Sequence, residues 1–275
     1  MKRFATLLTA LPLFLPLLVV PFGAANAVVD ATETNVVQRK ASPFQPRENA
    51  MADVDALLES AAAKGKLGLI IMGGNWCHDS RALVRRMNTP ELAPILKDNY
   101  ETMLVDVAGL NENMDVAKRF GRPVIYGTPT VLIVDPETKR LVNAHDMHQW
   151  RDAESISMED TTSYFTKMAA AETRGAPTDS DLAPHYAAMM ADIDLFEKTQ
   201  AKRIYRAFSV VGPMVMMKNS ERPENFRTLW VELSKFRYKI TKDLAALKAE
   251  VRKFSATGDE NAELHFPSYD PFSWE

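Results

Sequence analysis

The sequence predicts an α/β fold in which strands and helices alternate, followed by a C-terminal extension made only of helices. Short apolar runs that are typical of buried strands occur at 67–72, 102–107 and 129–134. Segments with helical apolar spacing lie between them. Beyond residue 184 the apolar residues recur only at helical spacing, as far as residue 254. The chain therefore divides into an α/β part and a helical part.

The α/β part is expected to begin with a helix capped by Asn49 or Asp53 that runs through Lys64. Gly65 is expected to end this helix, because glycine readily adopts the left-handed conformation found at helix ends. The remaining predicted elements, in chain order, are a strand at 67–72, helices at 81–87 and 91–97, a strand at 102–107, a helix at 114–120, a strand at 129–134, an edge strand at 140–144 and a closing helix at 158–172.

Composition changes divide the chain further. The segment before residue 48 and the segment around residue 178 are rich in Pro, Ser, Thr, Asn or Gly and have no apolar period. The helical part ends in an aromatic tail over 266–274, which we interpret as a strap on the protein's own surface or, alternatively, as a partner-recognition segment. The predicted segments are a signal peptide over 1–27, a flexible lead-in over 28–47, an α/β domain over 48–173, a linker over 174–184, and a helical extension with the aromatic tail over 185–275.

The N-terminus has the pattern of a secretory leader. Lys2 and Arg3 precede an apolar run, and Ala25-Asn26-Ala27 provides a small-x-small cleavage signal. The alternative is an uncleaved anchor, because no charged residue lies between positions 4 and 29. Both interpretations predict export to an oxidising compartment, which is the periplasm if the host is bacterial. Cleavage would change the formal charge from −3 to −5, and no basic stripe indicates nucleic-acid binding.

Cys77 is the single cysteine of the chain and lies between the predicted strand at 67–72 and the predicted helix at 81–87. Free N–H groups and the positive end of the helix dipole favour an anion at such a junction. These groups raise the thiolate fraction of a cysteine and therefore its reactivity. The sequence predicts an exposed, nucleophilic thiol with no disulfide partner in its own chain; the alternative is an inert, buried cysteine.

The strand, Trp76-Cys77 and helix together resemble the active site of the thioredoxin superfamily. Redox members of that family carry Trp-Cys-x-x-Cys, and here Ser80 stands in place of the second cysteine. The segment Gly127-Thr128-Pro129-Thr130, which opens an apolar strand 52 residues after Cys77, looks like the family's cis-proline element. The resemblance covers roughly residues 48–172. It implies a thioredoxin-like fold, a central mixed sheet flanked by helices, with Pro129 in the cis form beside Cys77.

The resemblance also implies a reaction. One cysteine can attack a substrate disulfide, but without a second cysteine it cannot resolve the mixed disulfide that results. Activity is therefore limited to disulfide isomerisation, exchange with an external thiol, or capture of a substrate as a mixed disulfide. The roles that we assign are nucleophile for Cys77, tuning of its thiolate for His78 and Ser80, shielding for Trp76, and contact with a substrate backbone for Thr128 and Pro129.

Two residues depart from the family pattern. Ile71 stands where thioredoxins have a buried carboxylate that accepts a proton. Asp79 places a negative charge beside the reactive position, which opposes the thiolate, although an acid in a first helical turn can also serve only as a cap. His78 would favour the thiolate when it is protonated, and it too can act only in capping.

We expect thiol or disulfide groups of proteins, or a low-molecular-weight thiol, as partners, and no cofactor or metal. The run His145-Asp146-Met147-His148 contains metal-ligand types, but adjacent residues rarely converge on one ion. A peroxidase would need Thr or Ser where Gly74 stands. The competing hypothesis is a scaffold that binds a partner, or a second copy of the chain, through residues 185–275.

Overall fold

Three strands form the sheet of the α/β part in the computed structural model, which describes residues 42–170 and 182–275. β1 is the central strand, with β2 parallel on one side and β3 antiparallel on the other. The α/β elements are α1 (Ala50–Ala63), β1 (Leu67–Gly73), α2 (His78–Met87), α3 (Ala93–Asn99), β2 (Tyr100–Asp106), α4 (Met114–Arg119), β3 (Thr130–Val134), a 3-10 helix (Met147–Ser155) and α5 (Met158–Ala169).

The mixed sheet flanked by helices is confirmed. Every residue of β1 and β3 is buried, as expected for strands that are covered on both faces. The start of α1 is also as predicted, since the Asn49 side chain accepts a hydrogen bond from the Ala52 N–H at 3.0 Å. Gly65 follows the helix in the left-handed conformation, with φ at 65°.

Two separate groups of buried apolar residues lie on the two faces of the sheet. One face, with Leu69, Ile71 and Val131, packs against α2, α3, α5 and the 3-10 helix. The other face, with Ile70 and Leu132, belongs to a group that continues through α1 and α4 into the C-terminal helices. The extension is therefore part of the core of the same compact unit, residues 41–275.

The extension consists of α6 (Pro184–Met216), a short 3-10 turn (Asn219–Glu221) and α7 (Phe226–Thr257). The two long helices pack against each other, and a salt bridge of 3.4 Å joins Lys248 near the end of α7 to Asp194 near the start of α6, so they run antiparallel. Among the described residues, no helix is apolar and long enough to span a bilayer.

The first long helix continues past Pro213 to Met216, and the second begins at Phe226, so the chain turns between these two residues. Pro213 lies in the last turn of α6, where its missing N–H removes one helical hydrogen bond. The Arg222 guanidinium then donates to the carbonyls of Met214 and Val215, at 3.1 and 2.9 Å, and satisfies the free end of the helix.

The predicted edge strand at 140–144 is also wrong. The backbone forms only an isolated bridge between Val134 and Leu141. The Asn143 side chain replaces the continuing ladder, since it accepts from the Ile133 N–H and donates to the Val131 carbonyl, both at 2.9 Å. One amide side chain therefore satisfies the backbone groups that a fourth strand would have paired.

The flexible lead-in predicted for 28–47 does not extend over Phe44. The side chain of Phe44 is fully buried, and its backbone is held by Asn75, which accepts from the Phe44 N–H at 3.1 Å and donates to its carbonyl at 2.6 Å. The rest of the predicted lead-in to residue 41, the predicted signal peptide and most of the predicted linker lie outside the described residues.

The aromatic tail packs on the protein's own helices, as the strap interpretation predicts. The rings of Phe272 and Phe236 meet edge to face with centroids 5.2 Å apart. The Arg203 guanidinium lies over both rings, at 4.6 and 4.8 Å, and hydrogen-bonds to the backbone of the tail. The Glu232 carboxylate accepts from Ser273.

Candidate functional site

Cys77 is the N-cap residue of α2 and has an extended backbone, with φ at −82° and ψ at 125°. The thiol is therefore at the start of the helix, as the sequence predicts. It is not exposed: only 8% of the residue is accessible, so this part of the prediction is wrong. The residues around the thiol include Thr128 and residues of α7, which are far from Cys77 in the sequence. The residues next to Cys77 in the chain therefore could not predict its burial.

The structure brings Cys77 together with the Thr128–Pro129 segment. The thiol donates a hydrogen bond to the Thr128 carbonyl, with 3.2 Å between sulfur and oxygen. The peptide bond between Thr128 and Pro129 is cis. The bond to the carbonyl requires the thiol proton, so the geometry is that of the thiol, and the nucleophilic thiolate forms when this proton leaves.

Trp76 lies beside the thiol and is held from two sides. Its indole N–H donates to the Ala108 carbonyl at 2.7 Å. Its ring meets Trp230 of α7 edge to face, with centroids 6.1 Å apart. A Cβ at Gly74 would lie 2.6 Å from the Trp76 indole nitrogen, so a residue without a side chain is needed at 74 for this ring position.

The Ser80 and His78 side chains make their contacts with groups other than the Cys77 thiol. Ser80 is fully buried, and its hydroxyl accepts a weak hydrogen bond of 3.5 Å from the Gly74 N–H. The His78 side chain is 71% exposed and approaches the Asp79 carboxylate at 3.0 Å. Neither side chain has a hydrogen bond to Cys77 among the described contacts, so their tuning of the thiolate stays a prediction.

Asp79 joins α2 to the 3-10 helix. It is buried, and its carboxylate accepts from the Glu154 N–H at 2.9 Å. Burial raises the pKa of Asp79, while the hydrogen bond from Glu154 and the charge of His78 act in the opposite direction. These contacts tie α2 to the 3-10 helix, and no hydrogen bond from the N–H groups at the start of α2 to Asp79 is present among the described contacts, so the capping alternative stays a prediction.

A cavity of about 380 Å³ opens beside Cys77, between the α/β part and the extension. Cys77, Asp79 and Thr128 line one side. The residues on the other sides, which the sequence analysis missed, come from the 3-10 helix and from the extension: Arg151, Asp152, Arg222, Phe226, Trp230, Ser234, Arg237 and Tyr238.

Arg237 is the most deeply buried cation of this cavity. It is 5% exposed, and it lies over the rings of Trp230 and Phe208 at 5.0 and 5.7 Å. One terminal nitrogen donates to the Ser234 hydroxyl at 3.1 Å. Its Nε is buried and has no hydrogen-bond partner among the described residues. The sequence did carry a signal, because Arg237 interrupts the apolar face formed by Leu233, Phe236 and Ile240.

Arg151 faces the same cavity from the 3-10 helix. Its guanidinium lies 3.6 Å from the ring centre of Tyr238 and donates to the Thr241 hydroxyl at 3.1 Å. Tyr238 in turn hydrogen-bonds to Asp152. Burial lowers the pKa of Arg151, and it raises the pKa of Tyr238 to about 12 with help from Asp152, so Tyr238 is neutral near pH 7.

Arg237 carries its positive charge near pH 7 in spite of its burial. Burial lowers the pKa of Arg237 to about 10, and the charge of Arg151 acts in the same direction. Negative charge on Tyr238 or Cys77 raises it. Arg237 therefore remains protonated near pH 7, and its interaction with a thiolate at Cys77 is favourable.

The run from His145 to His148 does not converge on an ion site. Asp146 accepts from the Tyr164 hydroxyl at 2.7 Å, Met147 is buried in the core, and the His148 ring packs edge-on to Tyr126. Within residues 42–170 and 182–275, no group of three or more His, Cys, Asp or Glu side chains is placed to hold a metal.

Comparisons with known proteins bear on the α/β part. Residues 49–136 match a family model described as thioredoxin-like. The solved structure of a disulphide isomerase from Xylella fastidiosa Temecula1 is similar, at 22% identity and a TM-score of 0.44, over 46% of this chain and 97% of that one. No curated protein sequence matches the chain. The match over residues 49–136, with the mixed sheet and the strand–Cys77–helix junction, identifies the α/β part as a thioredoxin-like domain.

Proposed function

We propose that the protein carries out thiol–disulfide exchange with Cys77 as its single nucleophile. The observation that carries this proposal is the position of the Cys77 sulfur: it lies at the start of α2, 3.2 Å from the carbonyl that precedes cis-Pro129, beside the cavity that contains Arg237. The free N–H groups at the start of α2 and the Arg237 charge, which faces the same cavity, can stabilise the negative charge that this sulfur carries when it attacks a disulfide.

The reaction has two steps. The Cys77 thiolate attacks one sulfur of a disulfide RS–SR, forming a bond from Sγ to that sulfur and releasing RS⁻, which takes up the proton lost from Cys77. A second thiol molecule then attacks the mixed disulfide and returns Cys77 to the thiol. Since the chain has one cysteine, this second thiol must come from the substrate or from solution.

The competing scaffold hypothesis depends on an apolar surface that the extension leaves free. The buried residues of α6 and α7 pack on the α/β part and on the aromatic tail, which leaves few large apolar side chains exposed in the described parts of the chain, among them Leu195 and Val231. These contacts favour exchange chemistry over docking as the function of the extension. Association through residues 185–275, including a homodimer, stays a prediction.

The test is the reaction of the full chain with bis(2-hydroxyethyl) disulfide, followed by intact mass and by release of thiol. We expect one adduct on the wild-type chain and none on Cys77→Ser. The rate constant should exceed that of free 2-mercaptoethanol with the same reagent at pH 7. A wild-type rate no higher than that of the free thiol, with the native fold shown by circular dichroism, would contradict the proposal.

We also propose that exchange takes place after export, on the basis of the leader over 1–27. Expression of the full gene product in a bacterial host, followed by N-terminal sequencing of the protein released from the periplasm, tests this. The expected first residue is Val28, after the Ala25-Asn26-Ala27 signal. Recovery of the uncleaved chain in the cytosol alone would oppose it.

A further inference from the structure

The cavity beside Cys77 has an unusual excess of positive charge for a buried site. Three arginines line it, against two carboxylates: Arg151, Arg222 and Arg237 against Asp79 and Asp152. The other titratable groups in the lining are Cys77, His78, Tyr126 and Tyr238. Buried charges are normally paired, so an arginine of this cavity that has no carboxylate partner requires an explanation.

Both carboxylates are already engaged. Asp79 accepts from the Glu154 N–H and approaches His78. Asp152 accepts from the Tyr238 hydroxyl and forms a loose ion pair with the Arg151 Nε at 3.9 Å, which is too long for a hydrogen bond. Neither carboxylate has a hydrogen bond or ion pair with Arg237 among the described contacts.

Two guanidinium groups retain unused donors. The Nε atoms of Arg237 and Arg151 are both buried and have no hydrogen-bond partner within the described parts of the chain. A buried donor without a partner costs about 1–3 kcal/mol, more when it carries charge. A bound anion would satisfy these donors and would return part of that cost.

Access to Cys77 favours a small ligand. The Gly127–Thr128 backbone, which an extended peptide would need, is covered by Arg151, whose Cβ would lie 2.9 Å from a Cβ at Gly127. The Thr128 carbonyl already accepts from the Cys77 thiol. The cavity volume of about 380 Å³ is at the lower end of the range of small-molecule sites.

We infer that the cavity is a subsite for a small anionic disulfide or thiol, in which Arg237 and Arg151 hold a carboxylate of the ligand while its sulfur meets Cys77. This inference rests on the proposed exchange function and specifies its substrate class. The chemistry is that of the exchange reaction: the ligand's S–S bond breaks, a bond from Sγ to the bound half forms, and the other half leaves as a thiol.

The experiment uses three aliphatic disulfides of similar size and different charge: 3,3′-dithiodipropionate, bis(2-hydroxyethyl) disulfide and cystamine. Each rate constant with the full chain is divided by that of free 2-mercaptoethanol, which removes differences in the reagents' own reactivity. We expect the normalised rate of the dianion to exceed that of the neutral reagent by at least about tenfold, the effect of one charge-assisted hydrogen bond. The dication should be the slowest.

Substitutions of Arg237 test whether this residue causes the preference for the anionic disulfide. Arg237→Met should reduce the ratio of dianion to neutral rate to near one, and Arg237→Lys should recover part of it. The matched control is Arg203→Met, because Arg203 also lies over aromatic rings but belongs to the tail contact and not to the cavity. Arg203→Met should keep the wild-type ratio.

The outcomes separate the two proposals. If all three disulfides react with wild-type Cys77 at equal normalised rates above one, exchange stands and the anion subsite is overturned. If none reacts faster than the free thiol, the exchange function itself fails. A normalised rate for the disulfides of insulin equal to that of the dianion would also overturn the inference, because it would show that a protein substrate reaches Cys77. The comparison of the three disulfides uses the wild-type chain alone, so its result does not depend on whether a variant folds.

Discussion

Three charged or polar side chains lie on helix faces that otherwise form the core, and each has a counterpart in the α/β part. Glu197 of α6 accepts from the buried Tyr126 hydroxyl at 2.8 Å. Thr241 of α7 accepts from Arg151, and Arg237 lies beside Cys77 in the same cavity. A buried polar residue is costly unless it is paired, so the contacts of Glu197 and Thr241 fix where α6 and α7 lie on the α/β part.

His148 allows a pH test at the same scale. Its ring packs against Tyr126, and burial, with the charges of Arg122, Arg151 and Lys248, lowers the pKa of His148 to about 3. In the unfolded chain the pKa is about 6.5, so between these two values the unfolded state binds a proton that the native state does not. Stability is therefore lost as the pH falls below about 6.5, by up to about 1.4 kcal/mol per pH unit.

The measurement is the free energy of unfolding in urea at pH 7.0 and pH 5.5. We expect the decrease on acidification to be smaller in His148→Gln than in the wild type. The exposed His145 provides the control, since His145→Gln should keep the wild-type pH dependence. Equal pH dependence in all three proteins would mean that folding does not change the pKa of His148.

At the scale of elements, the loop between β2 and α4 supports both the site and the extension. Its backbone includes three non-glycine residues in the left-handed region, at Ala108, Leu110 and Asn113. The Ala108 carbonyl accepts from Trp76, and Gly109 meets Gly212 of α6 with no room for a side chain on either residue. The strained loop thus links the position of Trp76 to the docking of α6.

Gly212→Ala tests this contact. In an ordinary helix position the change would stabilise the protein by about 0.5–1 kcal/mol. Here the new methyl group meets the Gly109 backbone carbonyl, and we expect a loss of about 1–3 kcal/mol in the free energy of unfolding. Ser209→Ala, on the exposed side of the same turn, should change it by less than about 0.5 kcal/mol. A stabilising Gly212→Ala would show that the two backbones are not in contact.

At the scale of the whole molecule, one group of buried apolar residues extends from the sheet to the aromatic tail. Val107, Leu110 and Tyr126 of the α/β part are buried and belong to the same group as the apolar face of α6. A group of buried residues that is shared in this way predicts that the α/β part and the extension unfold together, although the sequence pattern separates them.

Removal of residues 182–275 should therefore destabilise the α/β part. Uncovering Val107, Leu110 and Tyr126 costs about 1.5–3 kcal/mol for each side chain, so we expect the thermal midpoint to fall by more than about 10 °C. The measurement is thermal unfolding by circular dichroism. The control is the full chain cut once between residues 170 and 182, which keeps both pieces and should retain most of the midpoint. An unchanged midpoint after the deletion would mean that the extension is an independent module.

Local pattern was sufficient for the features that depend on a few neighbouring residues. The strands at β1, β2 and β3, the cap at Asn49, the start of α2 at Cys77 and the presence of two long C-terminal helices all follow from apolar period and turn residues. The resemblance of Trp76-Cys77 and Thr128-Pro129 to one family was carried by the same short segments.

Contacts between distant residues decided the rest. The burial of Cys77, the two arginines beside it and the replacement of an edge strand by Asn143 depend on segments that meet only when the chain is folded. Residue 237 is 160 positions from residue 77. A charged residue on an apolar helix face indicates a special environment for that charge, but the sequence does not say that this environment includes Cys77. The sequence pattern records which side chains are buried, but tertiary packing alone determines what each of them faces.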